Sequence, residues 1–184
     1  MEEWVDVLDQ DGRYTGETIL KSEAHRQGIF HPTVHIWFYT SQGEILLQLR
    51  SPVKKTFPGF WDVSVAGHIG AGEPVEEAAL REIREELGLS VGKKDLSPVG
   101  VFKSIKRHDN GIIDCEYHHT FLCQFNHTLS ALEIQEEEVS EIRLFPMEIL
   151  GQPYITDKTK VKIVPHDGSY YRVVCDAIRK HLKS

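Results

Sequence analysis

Residues Gly67 to Leu89 read GHIGAGEPVEEAALREIREELGL, and the spacing of their charges decides how the rest of the chain is read. On a helix turning roughly 100° per residue, Glu82, Glu85 and Glu86 fall on one face, because positions three and four apart are neighbours. Ala79, Ile83 and Leu87 form an apolar stripe beside them. Such a helix buries one side in a core and presents a carboxylate-rich side to a site. Like charges this close repel each other. An all-oxygen cluster suits a hard divalent cation, Mg2+ or Mn2+, which relieves the repulsion and leaves coordination positions for water and phosphate oxygens.

A charge run on a helix is usually only a solvated face, but the preceding loop argues against that here. Gly67, Gly70 and Gly72 supply a turn whose backbone can approach a ligand closely, and Glu73 and Arg81 bracket the start of the helix with opposite charges. If each residue type makes up roughly 5 to 10% of a chain, this set of fixed positions should arise by chance in well under about one window in a million. The pattern resembles the Nudix box, the signature of the Nudix hydrolases, at every defined position. That resemblance implies an α/β fold, an α/β/α sandwich around a mixed β-sheet, with the box as loop-helix-loop. It also implies Mg2+ on Glu82, Glu85 and Glu86 with the Gly67 carbonyl as a further ligand, and hydrolysis of a small-molecule diphosphate substrate. Glu73 and Arg81 are expected to hold the loop to the helix.

Composition narrows the classes. A chain of 184 residues with 40% hydrophobic content fits a single globular domain over 1–184. A net charge of -7 argues against a nucleic-acid-binding surface, which normally carries a basic patch. The cysteines Cys115, Cys123 and Cys175 lack metal-type spacing and read as reduced thiols. The acidic start MEEWVDVLDQDG has no signal-peptide character, and no apolar run approaches the ~20 residues of a membrane span. A cytoplasmic protein with no membrane partner is expected; a homodimer is left open.

Outward from the box, Trp4 to Leu8 and Tyr14 to Ile19 read as strands around the turn signal Asp9-Gln10-Asp11-Gly12. Lys21 to Gln27 reads as a short helix ending at Gly28, followed by strands over Thr33 to Thr40 and Ile45 to Leu49. Arg50 begins the basic loop RSPVKKTFPGFWD, in which Arg50, Lys54 and Lys55 are candidates to clamp phosphates. Trp61 to Val65 reads as a strand leading into the box. The box helix is expected from Pro74 and Val75 to a C-cap at Gly88. Beyond it, strands are expected at Pro98 to Ile105, Ile112 to Phe125 and Val139 to Phe145, with a packing helix at Tyr170 to Leu182. Period-two geometry puts Asp114, Glu116 and His118 on one strand face, a second acidic cluster. His35 reads as structural.

Over residues 4 to 145 the chain is similar to the Nudix branch related to isopentenyl diphosphate isomerase. By motif, that resemblance implies a second metal site drawn from His25, His31, His68, Asp114 and Glu116, with the spacing of His25 to His31 one residue short. The isomerase cysteine just before the Gly-His pair is Ala66 here, and alanine has no ionisable proton with which to move a double bond. The glutamate-rich box, eroded in the isomerases, is whole. The expected function is therefore Mg2+-dependent hydrolysis of a nucleoside diphosphate derivative or a related organic diphosphate. Isomerisation and a non-catalytic nucleotide-binding module are the alternatives. Glu82, Glu85, Glu116 and one of Glu136 to Glu138 remain open as general base.

Overall fold

The computed structural model describes residues 2–150, 154–156 and 159–183. A hairpin of β1 (Trp4–Leu8) and β2 (Tyr14–Leu20) opens the chain and runs into α1 (Lys21–Gln27). Then come β3 (His31–Tyr39), β4 (Glu44–Arg50), β5 (Trp61–Asp62) and β6 (Val65–His68), which delivers the chain to α2 (Val75–Leu87). β7 (Ser97–Arg107), β8 (Ile113–Gln124) and β9 (Val139–Pro146) follow. A short pair, β10 (Tyr154–Thr156) and β11 (Thr159–Val161), precedes α3 (Gly168–His181).

Seven strands make the main sheet in the order β5-β4-β3-β8-β7, with β6 added to β3 and β9 to β4. The β3–β8 pair is parallel and its neighbours are antiparallel, so the sheet is mixed. One face of β3, with Val34, Ile36 and Phe38, packs on the apolar stripe Ala79, Ile83 and Leu87 of α2. The other face carries Trp37, which joins Leu122 and the α3 residues Tyr170, Val174 and Ile178. This is the α/β/α sandwich expected. Because helices cover both faces, every residue of β3 is buried and the usual polar alternation disappears. α2 stops at Gly88, whose φ of 68° is the left-handed turn that closes a helix. A Cβ there would sit 2.7 Å from that of Glu133. Among the described residues no helix is long and apolar enough to cross a membrane. Cys115, Cys123 and Cys175 are free and buried.

The expected single strand over Trp61 to Val65 is two strands with different partners. Trp61 and Asp62 pair with β4, whereas Val65 to His68 pair with β3. The reason is a fork in the sheet: β3 and β4 pair only at Tyr39 and Ile45 and then part. Ser64 sits in the fork. Its hydroxyl accepts from Phe38 N at 2.8 Å and donates to Leu46 O at 2.5 Å, replacing the ladder bonds that the two strands no longer make. On either side of Ser64, Asp62 and the stretch Ala66 to His68 line the cavity that holds the candidate site.

Ser64 is fully buried, so Ser64→Ala strands a backbone donor and an acceptor without water. The expected loss is about 1–3 kcal/mol of stability, read as a lower urea midpoint at unchanged slope. A midpoint equal to that of the parent protein would show that the fork does not depend on this side chain.

Candidate active site

Gly67 lies at the end of β6, with the side chain of Glu82 directly against its backbone. A Cβ at residue 67 would lie 2.0 Å from Glu82 Cδ, so only glycine admits the glutamate. Arg81 holds the arrangement. Its Nε and Nη2 donate to the two carboxylate oxygens of Glu73, each at 2.9 Å, and Nη2 also donates to His68 O at 2.9 Å. Glu73 in turn accepts from Gly70 N at 2.9 Å. Nη1 reaches Glu82 at 2.7 Å and Glu85 at 3.1 Å. Glu73 and Arg81 thus join loop, strand and helix.

Glu82 and Glu86 are buried while Glu85 is exposed, and all three line one cavity of about 1010 Å3. Burial, then the nearby Glu82 and Glu138 charges, push the Glu86 carboxyl well above its ordinary range. Burial also raises Glu82, against the opposing pull of Arg81. Crowded, desolvated carboxylates of this kind fit a hard divalent cation, whose charge removes the penalty.

A second cluster lines the same cavity. One ligand atom each from His25, His31, His68 and Glu116 lie within 4.8 Å of one another. His31 Nδ1 bonds to Ile29 O at 2.9 Å, which puts its proton on that nitrogen and leaves Nε2 as an acceptor. That Nε2 is buried and has no hydrogen-bond partner among the described residues. It lies 3.7 Å from Glu116 Oε1, as does His68 Nε2. Burial drives the His68 imidazole well below its ordinary pKa, which keeps it neutral and able to act as a ligand. Burial alone would raise Glu116, yet the imidazoles of His31 and His118 hold its carboxyl below its usual value. The donor set, imidazoles plus a carboxylate, fits a transition-metal dication.

The remaining residues singled out from the sequence have different places. Asp114 is set behind the cluster: it bonds His25 Nδ1 at 2.9 Å and His108 Nε2 at 2.7 Å, orienting the imidazole whose Nε2 faces His68 at 3.0 Å. Arg50 belongs to the end of β4, not to the loop. Its guanidinium binds Asp62 Oδ2 at 3.0 Å and both the carbonyl and hydroxyl of Thr56, and the residue lines the cavity. Lys54 and Lys55 line the cavity as well, Lys54 paired with Glu138 and Lys55 exposed. Of the acidic loop, Glu137 and Glu138 reach the cavity wall. His35 is buried against Tyr170, its Nδ1 2.8 Å from the phenol oxygen. Sequence reasoning did not single out Lys106, His108 or His166; Lys106 and His166 line the cavity, and His108 buttresses it through Asp114.

A family model described as the NUDIX domain matches residues 29–166. Nudix hydrolase 3 of Arabidopsis thaliana is 36% identical over 97% of this chain, which spans 24% of that relative's length. An isopentenyl-diphosphate Delta-isomerase of Salmonella typhi is 34% identical over 83% of this chain and 85% of its own. A solved protein of Deinococcus radiodurans shares the fold with a TM-score of 0.65 at 22% identity, over 97% of this chain and 98% of that one.

Gly67→Ala is expected to displace Glu82 without unfolding the chain, because the clashing atoms belong to a side chain that can swing away. Titration calorimetry with Mn2+ should then show about tenfold or greater loss of affinity at the box, with an unchanged circular dichroism spectrum. Equal affinity would remove Glu82 from the ligand set.

Asp62 tests the other wall. Burial favours its neutral form, but His166 and Arg50 outweigh that and hold its carboxyl below the ordinary value of 3.8. A depressed acid contributes stability that is present above the unfolded pKa and is lost as pH falls. Asp62→Asn should therefore cost about 3 kcal/mol at pH 7, and the gap from the parent protein should close as the pH is taken down below about 4. A gap independent of pH would show that the ion pair is not its source.

Proposed function

The chain belongs to the Nudix family, and from that premise we propose that it is a divalent-metal-dependent hydrolase of a small organic diphosphate, with Mg2+ the physiological ion and Mn2+ a substitute. The observation that carries this reading is the pair of buried box carboxylates, Glu82 and Glu86, in one cavity with Lys54 and Lys55. Glu82, Glu85 and Glu86, with the Gly67 carbonyl, would hold the ion. A bound dication supplies charge neutralisation at phosphate oxygens and lowers the pKa of water.

The chain's own groups do the rest. Lys54 and Lys55 meet the phosphates as point charges, with Lys54 leaving Glu138 to do so. Glu85 is the box glutamate with access to solvent, its side chain 52% exposed, and it accepts the proton of the attacking water. Glu116, packed among imidazoles, serves the histidine cluster instead. Arg81 keeps the glutamates in place and takes no part in proton transfer, because guanidinium stays charged.

Isomerisation is the second reading, favoured by the histidine cluster and by the likeness to the Salmonella enzyme. Against it stands Ala66, which lines the cavity opposite His35 and carries no proton to give or take.

A screen of diphosphate compounds for phosphate release should show turnover that needs Mg2+ and falls about 10²–10⁴-fold in Glu85→Gln. Absence of turnover on every compound would sink the hydrolase assignment. Double-bond migration in isopentenyl diphosphate would put the isomerase in its place.

A further inference from the structure

The cavity does not end at the histidine–glutamate cluster. His31 and Glu116 are paired across β3 and β8, and two residues further along, roughly 7 Å at strand spacing, Thr33 faces His118. His35 follows, opposite Ala66. Lys106 of β7, Asp62 of β5 and His166, which precedes α3, complete an inner chamber of the same cavity.

The polar atoms of this chamber outnumber their partners. His118 is only 2% exposed, and its Nδ1 is bonded to Thr33 at 2.7 Å, yet its buried Nε2 has no partner among the described residues. His166 Nε2 is in the same state, being 3.7 Å from Asp62, beyond hydrogen-bond distance. The nearest polar contact of Lys106 Nζ is His166 Nδ1 at 3.4 Å, and it forms no ion pair among the described residues. Asp62 is already engaged by Arg50 at 3.0 Å and by Val63 N at 2.8 Å. A hydrocarbon chain placed here would leave two buried imidazole nitrogens unbonded and a partly buried ammonium with one long contact, an unfavourable outcome for such groups.

We propose that Lys106, His118 and His166 form a specificity chamber that reads hydroxyl groups on the moiety attached to the diphosphate, selecting sugar-like esters and rejecting prenyl ones. This rests on the diphosphate reading of the site. A hydroxyl can donate or accept, so it satisfies either imidazole tautomer and also accepts from the ammonium. The carboxylates at the chamber's edge set the charge. Asp62 faces His166 at 3.7 Å and Glu116 faces His118 at 3.7 Å, so a neutral oxygen-rich group fits better than a further anion.

The test is equilibrium binding, which does not depend on turnover. Methylene-bridged diphosphonate analogues of a nucleoside diphosphate, of its 2′,3′-dideoxy form and of dimethylallyl diphosphate are titrated into the full chain with Mg2+. Bare methylenediphosphonate and a sugar-phosphorylated analogue are titrated alongside. The hydroxylated compound should bind about a hundredfold or more tighter than the dideoxy and dimethylallyl ones, as sites built for a hydroxyl reject analogues lacking it. Lys106→Met should erase most of that ratio and affect the hydroxylated compound far more than bare methylenediphosphonate. His166→Gln serves if the first variant does not fold. A ratio near one in the parent protein, or one that survives in the folded variant, overturns the proposal, as does tighter binding of the phosphorylated sugar. Failure to hydrolyse any diphosphate would defeat the catalytic reading alone, and the binding ratios would still decide the chamber.

Discussion

The guanidinium of Arg81 is the constraint on which the site depends. A planar, permanently charged fork can satisfy several acceptors at once. Here it spans both oxygens of Glu73, the carbonyl of His68 and the carboxylates of Glu82 and Glu85. The hydrogen bonds to Glu73, foremost among several causes, push the pKa of Arg81 further above its already high value, so the pin does not titrate. With strand end, loop and helix locked together, the Glu82 side chain rests against the backbone of Gly67. Glu86, bonded to Gln48 at 3.0 Å, is forced into the same dry corner. The helix therefore carries carboxylates that the fold alone does not want charged, and the apolar stripe Ala79, Ile83 and Leu87 holds them there. The core contributes the stability that this electrostatic strain offsets.

How far the site can be read from the sequence follows from distance along the chain. The box glutamates and their Arg81–Glu73 tie lie within a few helical turns, where periodicity fixes relative position, and the helix runs where its caps place it. Strands and amphipathic helices are legible in the same way, but their assembly into a sandwich came from the likeness of the box to the Nudix signature. Long-range partners are different in kind. Arg50 reads as a free cation in a basic loop because nothing local says that Asp62, on a strand not continuous with the box strand, will take it. Ser64 reads as one more residue of an unbroken strand, and only the fork between β3 and β4 gives its hydroxyl two jobs. Lys106 and His166 are 60 positions apart and meet through tertiary packing alone. The histidine cluster is similar: His25, His31, His68 and Glu116 are scattered, and family resemblance, not spacing, brought them together before the structure did.

Ala66 gains meaning from its surroundings. On the sequence it is a missing cysteine, which removes one chemistry without supplying another. In the fold it is a small wall residue across from His35, in a chamber whose other walls are imidazoles, a carboxylate and an ammonium. Under the proposed reading, the absent thiol and the hydrogen-bonding chamber point the same way, since neither suits chemistry on a prenyl group. The two departures are independent in the chain and coherent in space.

The hairpin between β7 and β8 then links the histidine cluster to the basic loop. From one side of its turn, His108 bonds Asp114, which orients His25 within the histidine cluster. From the tip, Asn110 donates to Lys55 O at 2.8 Å, tying down the basic loop. Phe57 of that loop has a φ of 47°, unfavourable for a bulky side chain, and its ring packs edge-on to His108 at 5.1 Å and tilted against Phe60 at 5.4 Å. A strained loop persists only where its contacts over-determine it, and these contacts come from the same imidazole that buttresses Asp114. The position of the lysines and the orientation of His25 therefore share one support, so the two halves of the cavity are set by a single turn of chain.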